Sequence, residues 1–296
     1  MTSRDNPSFS DRRAILKAAS AVLIGAGGGL LPFSTGQAAT PFASNRLSIA
    51  RRGTLGPDGG RDVILIPGLA SSPAIWNGLV AQLPGHRLHL VHIGGFAHLP
   101  AGPNASGPLL APLVDELARY INTQGLVSPV LVGHSMGGML AMMLALRTGS
   151  PVTRLMVVDM LPEGAAMIGG TSQGLGYLAE QLNGYFSGTR AGRQLLAQMV
   201  METPGAEGSD PRVISQALAE LAQTNLSPRL PLIRQSLNVV YALPADRDMA
   251  ASQRQRYQAA YAKAPAAKLT GIGPSGHAVM LDQPARFAAS VQQFLK

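Results

Sequence analysis

Short apolar runs recur along the chain from about residue 46, and most of them end at a glycine, proline or aspartate. Residues 63–66 (VILI) end at Pro67-Gly68, residues 130–132 (VLV) at Gly133, and residues 155–158 end near Asp159. A continuous apolar run of this length is the mark of a strand buried on both faces. Residues 88–93, 237–241 and 269–272 read as further strands, and residues 47–49 alternate as an edge strand does. Between them the period changes. Residues 109–121 carry apolar side chains at helical spacing, with Asp115, Glu116 and Arg119 on the polar side. Residues 136–146 read as a helix of small residues. Residues 284–295 read as an amphipathic closing helix with Asp282 as its N-cap. This alternation predicts an α/β fold with a mostly parallel sheet covered on both faces. Residues 162–232 break the rhythm with helical fragments at 175–182, 190–201 and 211–224, which predicts an inserted helical cap.

Composition narrows the function classes. The 296 residues are 46% hydrophobic and 14% charged, enough apolar material for a large core. Cysteine is absent, which excludes disulfide scaffolds, thiolate metal sites and a cysteine nucleophile. The net charge is +8, but Arg12-Arg13 and Arg51-Arg52 are the only adjacent basic pairs and aromatics are 5%. Such dispersed arginine is a soluble surface rather than the basic stripe of a nucleic-acid binder. His86, His89 and His92 fall on one strand. Alternation turns His89 away from the other two, so they do not form a metal site. No cofactor or metal is expected.

The amino terminus has its own pattern. Ser10-Asp11-Arg12-Arg13-Ala14-Ile15-Leu16-Lys17 resembles the twin-arginine export motif. A mildly apolar stretch follows at residues 18–31, too short and too rich in glycine for a stable membrane span. Gly36-Gln37-Ala38-Ala39 offers small residues for cleavage after Ala38 or Ala39. The resemblance implies a bacterial signal peptide over residues 1–39, passage through the twin-arginine export machinery, and a periplasmic or secreted product of residues 40–296.

The candidate chemistry lies at Gly133-His134-Ser135-Met136-Gly137, a G-x-S-x-G motif between a buried strand and a small-residue helix. Its glycines remove side chains that would collide across a sharp turn, and the turn presents the Ser135 hydroxyl at a helix N-terminus. His134 is expected to point to the core side of the turn.

In this context residues 46–296 resemble the α/β-hydrolase fold family, whose catalytic order along the chain is serine, acid, histidine. The resemblance makes Ser135 the nucleophile and Gly276-His277 the late histidine. It makes the backbone N–H groups of Met136 and, after Pro67-Gly68, Leu69 the oxyanion donors, with proline standing where the family commonly has histidine. Three aspartates compete for the acid. Asp248 fits best the register of the loop after the family's seventh strand, although Ala245 replaces the usual glycine. Asp246 is its neighbour, and Asp159 ends the strand after the nucleophile's. Trp76 is expected to pack, and His98 to border the pocket.

The implied activity is hydrolysis of a small-molecule carboxylic ester through an acyl-enzyme. Other acyl hydrolases or acyltransferases (amidase, lactonase, carbon–carbon hydrolase) and a non-catalytic exported binding protein on the same fold are the alternatives, because fold and motif do not discriminate among them.

Overall fold

The structure is a computed structural model. It describes residues 42–169 and 206–296, apart from 58 and 265, with 189–192 and 194 between them. The proposed signal peptide and the cap helices expected at 175–182 and over most of 190–201 lie outside the described residues.

Among the described residues seven strands form one sheet, in the order β1-β3-β2-β4-β5-β6-β7. They are β1 Leu47–Arg52, β2 Asp62–Ile66, β3 Arg87–Ile93, β4 Val130–His134, β5 Arg154–Val158, β6 Ser236–Ala242 and β7 Lys268–Ile272. Only β1, at the edge, runs antiparallel, against β3; the other pairs are parallel. The helices are α1 Asn77–Val80, α2 Leu110–Thr123, α3 Met136–Ala145, α4 Gly164–Gly169, α5 Pro211–Gln223, α6 Arg247–Ala260, α7 Val279–Asp282 and α8 Pro284–Leu295.

The apolar runs are continuous because each face of the sheet meets its own core. Ile64, Ile66, Leu131, Leu155, Val157 and Val239 pack with Leu113 and Leu117 of α2 and with Met139 and Leu140 of α3. Their neighbours Val63, Leu65, Val130, Val132, Met156 and Val240 pack on the opposite side with Trp76 and with Phe287, Val291 and Phe294 of α8. Trp76 is fully buried and stacks on Phe287, centroids 6.3 Å apart. Each fully buried Val, Leu or Ile contributes about 1.5–3 kcal/mol of transfer free energy.

Two local expectations are corrected. Asp282 does not cap α8; Gln283 holds that position, and the Asp282 carboxylate accepts the Gly276 N–H at 2.7 Å. The stretch after β6 is not an open loop, because α6 begins at Arg247. Only Ala250 and Tyr257 of that helix are buried, so its sequence carries little apolar period to read.

The sheet is also tied by a buried polar network. Arg87 donates to both Asp62 oxygens, at 2.5 and 2.9 Å. His89 Nε2 donates to Asp62 Oδ1 at 2.8 Å, and its Nδ1 lies 2.6 Å from the Tyr120 hydroxyl. Burial works to raise the Asp62 pKa, but the bonds from His89 and Arg87 outweigh it and bring it to about 2 from its ordinary 3.8. A depressed carboxylate pKa stabilises the fold above the unfolded value and ceases to do so as pH falls through the folded one. Asp62→Asn is therefore expected to cost about 3 kcal/mol at neutral pH. It should also flatten the fall of melting temperature between about pH 4 and 2. Thermal melts across that range check both, and an unchanged melting temperature at pH 7 would contradict this role.

Candidate active site

The register aligns the carboxyl ends of the strands. His134 of β4 pairs with Val158 of β5, Val158 with Val240 of β6, and Ala242 with Ile272 of β7. Residues 135, 159, 243 and 273 therefore leave one edge of the sheet, where open α/β sheets place their ligands.

Ser135 occupies the turn between β4 and α3 at φ 52°, ψ −123°, a left-handed conformation that a non-glycine residue holds only under constraint. The surroundings impose it. The Ser135 N–H donates to the Val158 carbonyl at 2.9 Å, and its carbonyl accepts from Gly138 and Met139. A Cβ on Gly133 would stand 2.2 Å from the Gly137 carbonyl oxygen. One on Gly137 would stand 2.2 Å from the Ile66 carbonyl oxygen and 2.6 Å from that of Pro67. Both glycines are thus required sterically, and Gly137 seats the start of α3 directly on Ile66 and Pro67. That contact places the start of α3, which carries Met136, beside the chain leading into Leu69. Met136 is the first residue of α3, where an N–H has no acceptor within its own helix. Leu69 follows Gly68, whose Cα faces His134 Nδ1 and Ser135 Cβ, with room for no side chain.

His277 lies in the loop between β7 and α7, with its ring centroid 4.6 Å from that of His134. Its side chain is about half exposed. The carboxylate it meets is Asp159. His277 Nδ1 donates to Asp159 Oδ2 at 2.7 Å, while Oδ1 accepts the Ala242 N–H at 3.0 Å and the Tyr257 hydroxyl at 2.8 Å. Burial would raise the Asp159 pKa, but His277, the Ala242 N–H and Tyr257 together hold it below its ordinary value. Asp159 has φ 47°, so the turn after β5 is constrained like the one after β4.

The other two aspartates are not brought to His277. Asp246 is the N-cap of α6, its Oδ1 accepting the N–H groups of Asp248 at 3.1 Å and Met249 at 2.9 Å. Asp248 sits in the exposed first turn of the same helix. The register that favoured Asp248 supposed a loop running toward His277, whereas the chain turns into a helix at that point and Asp246 serves the helix dipole. What α6 supplies instead is Tyr257, a lone aromatic among charged residues that sequence reading passed over. It stacks on Tyr241 with centroids 4.4 Å apart, and burial raises its pKa far above the ordinary range, so it remains a donor to Asp159. His98 lines a surface cavity with Gly208, Ser209 and Arg212. No group of three or more His, Asp or Glu among the described residues is placed to hold a metal, and none of their helices is long and apolar enough to cross a membrane.

Comparison with known proteins agrees with this architecture. The profile of the alpha/beta hydrolase family matches residues 63–290. A pimeloyl-[acyl-carrier protein] methyl ester esterase of Photobacterium profundum is 28% identical over 80% of this chain and 95% of its own length. The esterase of the same name from Vibrio vulnificus is 30% identical over 56% of the chain and 63% of its own length. An sn-1-specific diacylglycerol lipase of Mus musculus is 37% identical over 34% of the chain and 33% of its own length. Among solved structures, the enol-lactonase from Burkholderia xenovorans superposes with a TM-score of 0.59 at 17% identity, over 84% of this chain and 96% of that one. At that identity the likeness speaks for the fold. The profile match, the sheet order and the strained turn at Ser135 agree, and the chain belongs to the alpha/beta hydrolase family.

Proposed function

We propose that the protein is a serine hydrolase acting on carboxylic esters, with Ser135 as nucleophile, His277 as general base and acid, and Asp159 as the acid that orients His277. The observation that carries this reading is the 2.7 Å bond from His277 Nδ1 to Asp159 at the edge where Ser135 is held in a strained turn. Because Nδ1–H is engaged by Asp159, the Nε2 lone pair is the site that accepts the Ser135 proton. Ser135 Oγ then bonds to the ester carbonyl carbon, and the N–H groups of Met136 and Leu69 receive the developing oxyanion. His277 returns the proton to the departing alcohol, leaving an acyl-enzyme. Water, deprotonated by the same nitrogen, releases the acid and restores the hydroxyl. Asp159 stays ionised throughout, supported by Tyr257 and the Ala242 N–H. The name of the Photobacterium profundum relative, matched over 95% of its length, supports an ester rather than an amide as substrate.

A panel of p-nitrophenyl esters from short to long acyl chains tests the reading. Turnover above the buffer rate on at least part of the panel is expected. A folded protein inert toward every member would overturn the ester assignment.

We propose separately, from the Arg12-Arg13 motif, that the enzyme acts outside the cytoplasm. Residues 1–39 are proposed as a twin-arginine signal, so exported protein is expected to begin at Ala39 or Thr40 on amino-terminal sequencing. A membrane-bound product beginning at Met1 or Thr2 would contradict it.

A further inference from the structure

Ser135 and His277 are held by different loops, and the reaction needs a fixed distance between them. The loop 273–278 is tethered at several points. The Ser275 N–H donates to the Leu243 carbonyl, the Gly276 N–H to Asp282, Gln283 to the Pro274 carbonyl and Arg286 to the Gly273 carbonyl. All of these hold residues 273–276, which precede His277 in the loop. At His277 the backbone tether is a side chain from the nucleophile turn. His134 Nε2 lies 2.9 Å from the His277 carbonyl oxygen. A carbonyl only accepts, so Nε2 carries the hydrogen and Nδ1 presents a bare lone pair.

This arrangement is not what packing alone would select. His134 is buried, and among the described residues its Nδ1 has no hydrogen-bond partner, a cost that an apolar side chain of similar size would avoid. Burial first, and then the adjacent His277, lower its pKa to about 3, so the ring stays neutral and keeps one tautomer throughout the working range of a hydrolase. It therefore adds no positive charge beside the imidazolium that forms on His277. The face of Gly68 toward His134 Nδ1 and Ser135 Cβ puts the ring against the oxyanion segment as well.

We propose that His134 is a positioning residue: its Nε2–H···O=C bond to His277 fixes the base at a set distance from the adjacent nucleophile and ties the two loops that carry the chemistry. The proposal rests on the serine-hydrolase reading above and adds to it the device that keeps the two reacting side chains in register.

The test compares His134→Gln with His134→Leu in the full chain. Glutamine can present an amide N–H near the place of the imidazole Nε2, whereas leucine fills the space without a donor. If the Leu variant does not fold, His134→Met replaces it. Kinetics on the ester panel are run with wild type and Ser135→Ala alongside. The Leu variant is expected to lose about 10–100-fold in kcat with KM nearly unchanged, the size of effect that a misplacement of about 1 Å produces. The Gln variant should recover most of that loss. A second readout does not need turnover, namely the low-field proton resonance of the His277 Nδ1–H bonded to Asp159. It should persist in wild type, Ser135→Ala and the Gln variant, and broaden or vanish in the Leu variant. Wild-type kcat in a folded Leu variant, equal losses in Gln and Leu, or an unchanged resonance in Leu would overturn the proposal. A wild type that turns over no ester while its resonance still responds to His134→Leu would instead overturn the ester assignment and leave the tether standing.

Discussion

Asp159→Asn is expected to lower kcat about 10⁴-fold while leaving the fold intact, the effect known for removing the charge of a triad carboxylate without removing its shape. Asparagine keeps an oxygen and a similar volume among Ala242, Tyr257 and His277. It removes the charge that stabilises the imidazolium, and its amide can turn an N–H toward His277 Nδ1, forcing the wrong tautomer. The Nε2 lone pair that must receive the Ser135 proton is then lost. Asp248→Asn and Asp246→Asn are the controls. Asp248 is exposed in the first turn of α6, and asparagine is as good an N-cap as the aspartate it replaces at 246. Both should keep kcat within about twofold, as surface changes away from the chemistry do. A fully active Asp159→Asn protein would remove the carboxylate from the mechanism.

Ser135→Ala carries the largest expected effect, a loss in kcat of about 10⁶-fold, as for removal of a nucleophile from a complete triad. Alanine meets the same steric demand at φ 52°, since only Oγ is deleted, so the turn and its bonds to Val158, Gly138 and Met139 are expected to survive. The residual rate should reflect the oxyanion donors of Met136 and Leu69 and substrate binding alone. Steady-state kinetics beside a thermal melt separate this from unfolding. A variant that keeps more than about one hundredth of wild-type kcat would mean that Ser135 does not attack the substrate.

Much of this architecture is legible in the sequence because its causes are local. Runs such as 63–66 and 130–132 need only two covered faces to be apolar throughout, and the steric rules at Gly133 and Gly137 act across a single turn. The acid is harder to read. The choice between Asp159 and Asp248 depends on which strand end meets the His277 loop, a long-range fact that no spacing encodes. The apolar run at 155–158 ending in an aspartate beside the nucleophile's strand was the available signal, and it kept Asp159 among the candidates. Asp248 gained its weight from a loop register, and that register dissolved once α6 began at Arg247. Tyr257 was invisible for a related reason. An aromatic in a charged helix gives no period, and its partner lies 98 residues away in the chain. His134 was expected to face the core, which it does, but its bond to the His277 carbonyl spans 143 residues.

The central claim is that Ser135 is an activated nucleophile. Treating the protein with a fluorophosphonate and locating the adduct by peptide mass spectrometry tests it most directly, since the reagent needs an activated serine but no matching substrate. One adduct per chain, on the peptide containing Ser135, lost in Ser135→Ala and strongly slowed in Asp159→Asn, is the result this account predicts. A folded wild-type protein that takes up no label, or takes it up on another residue with Ser135 unmodified, would contradict it.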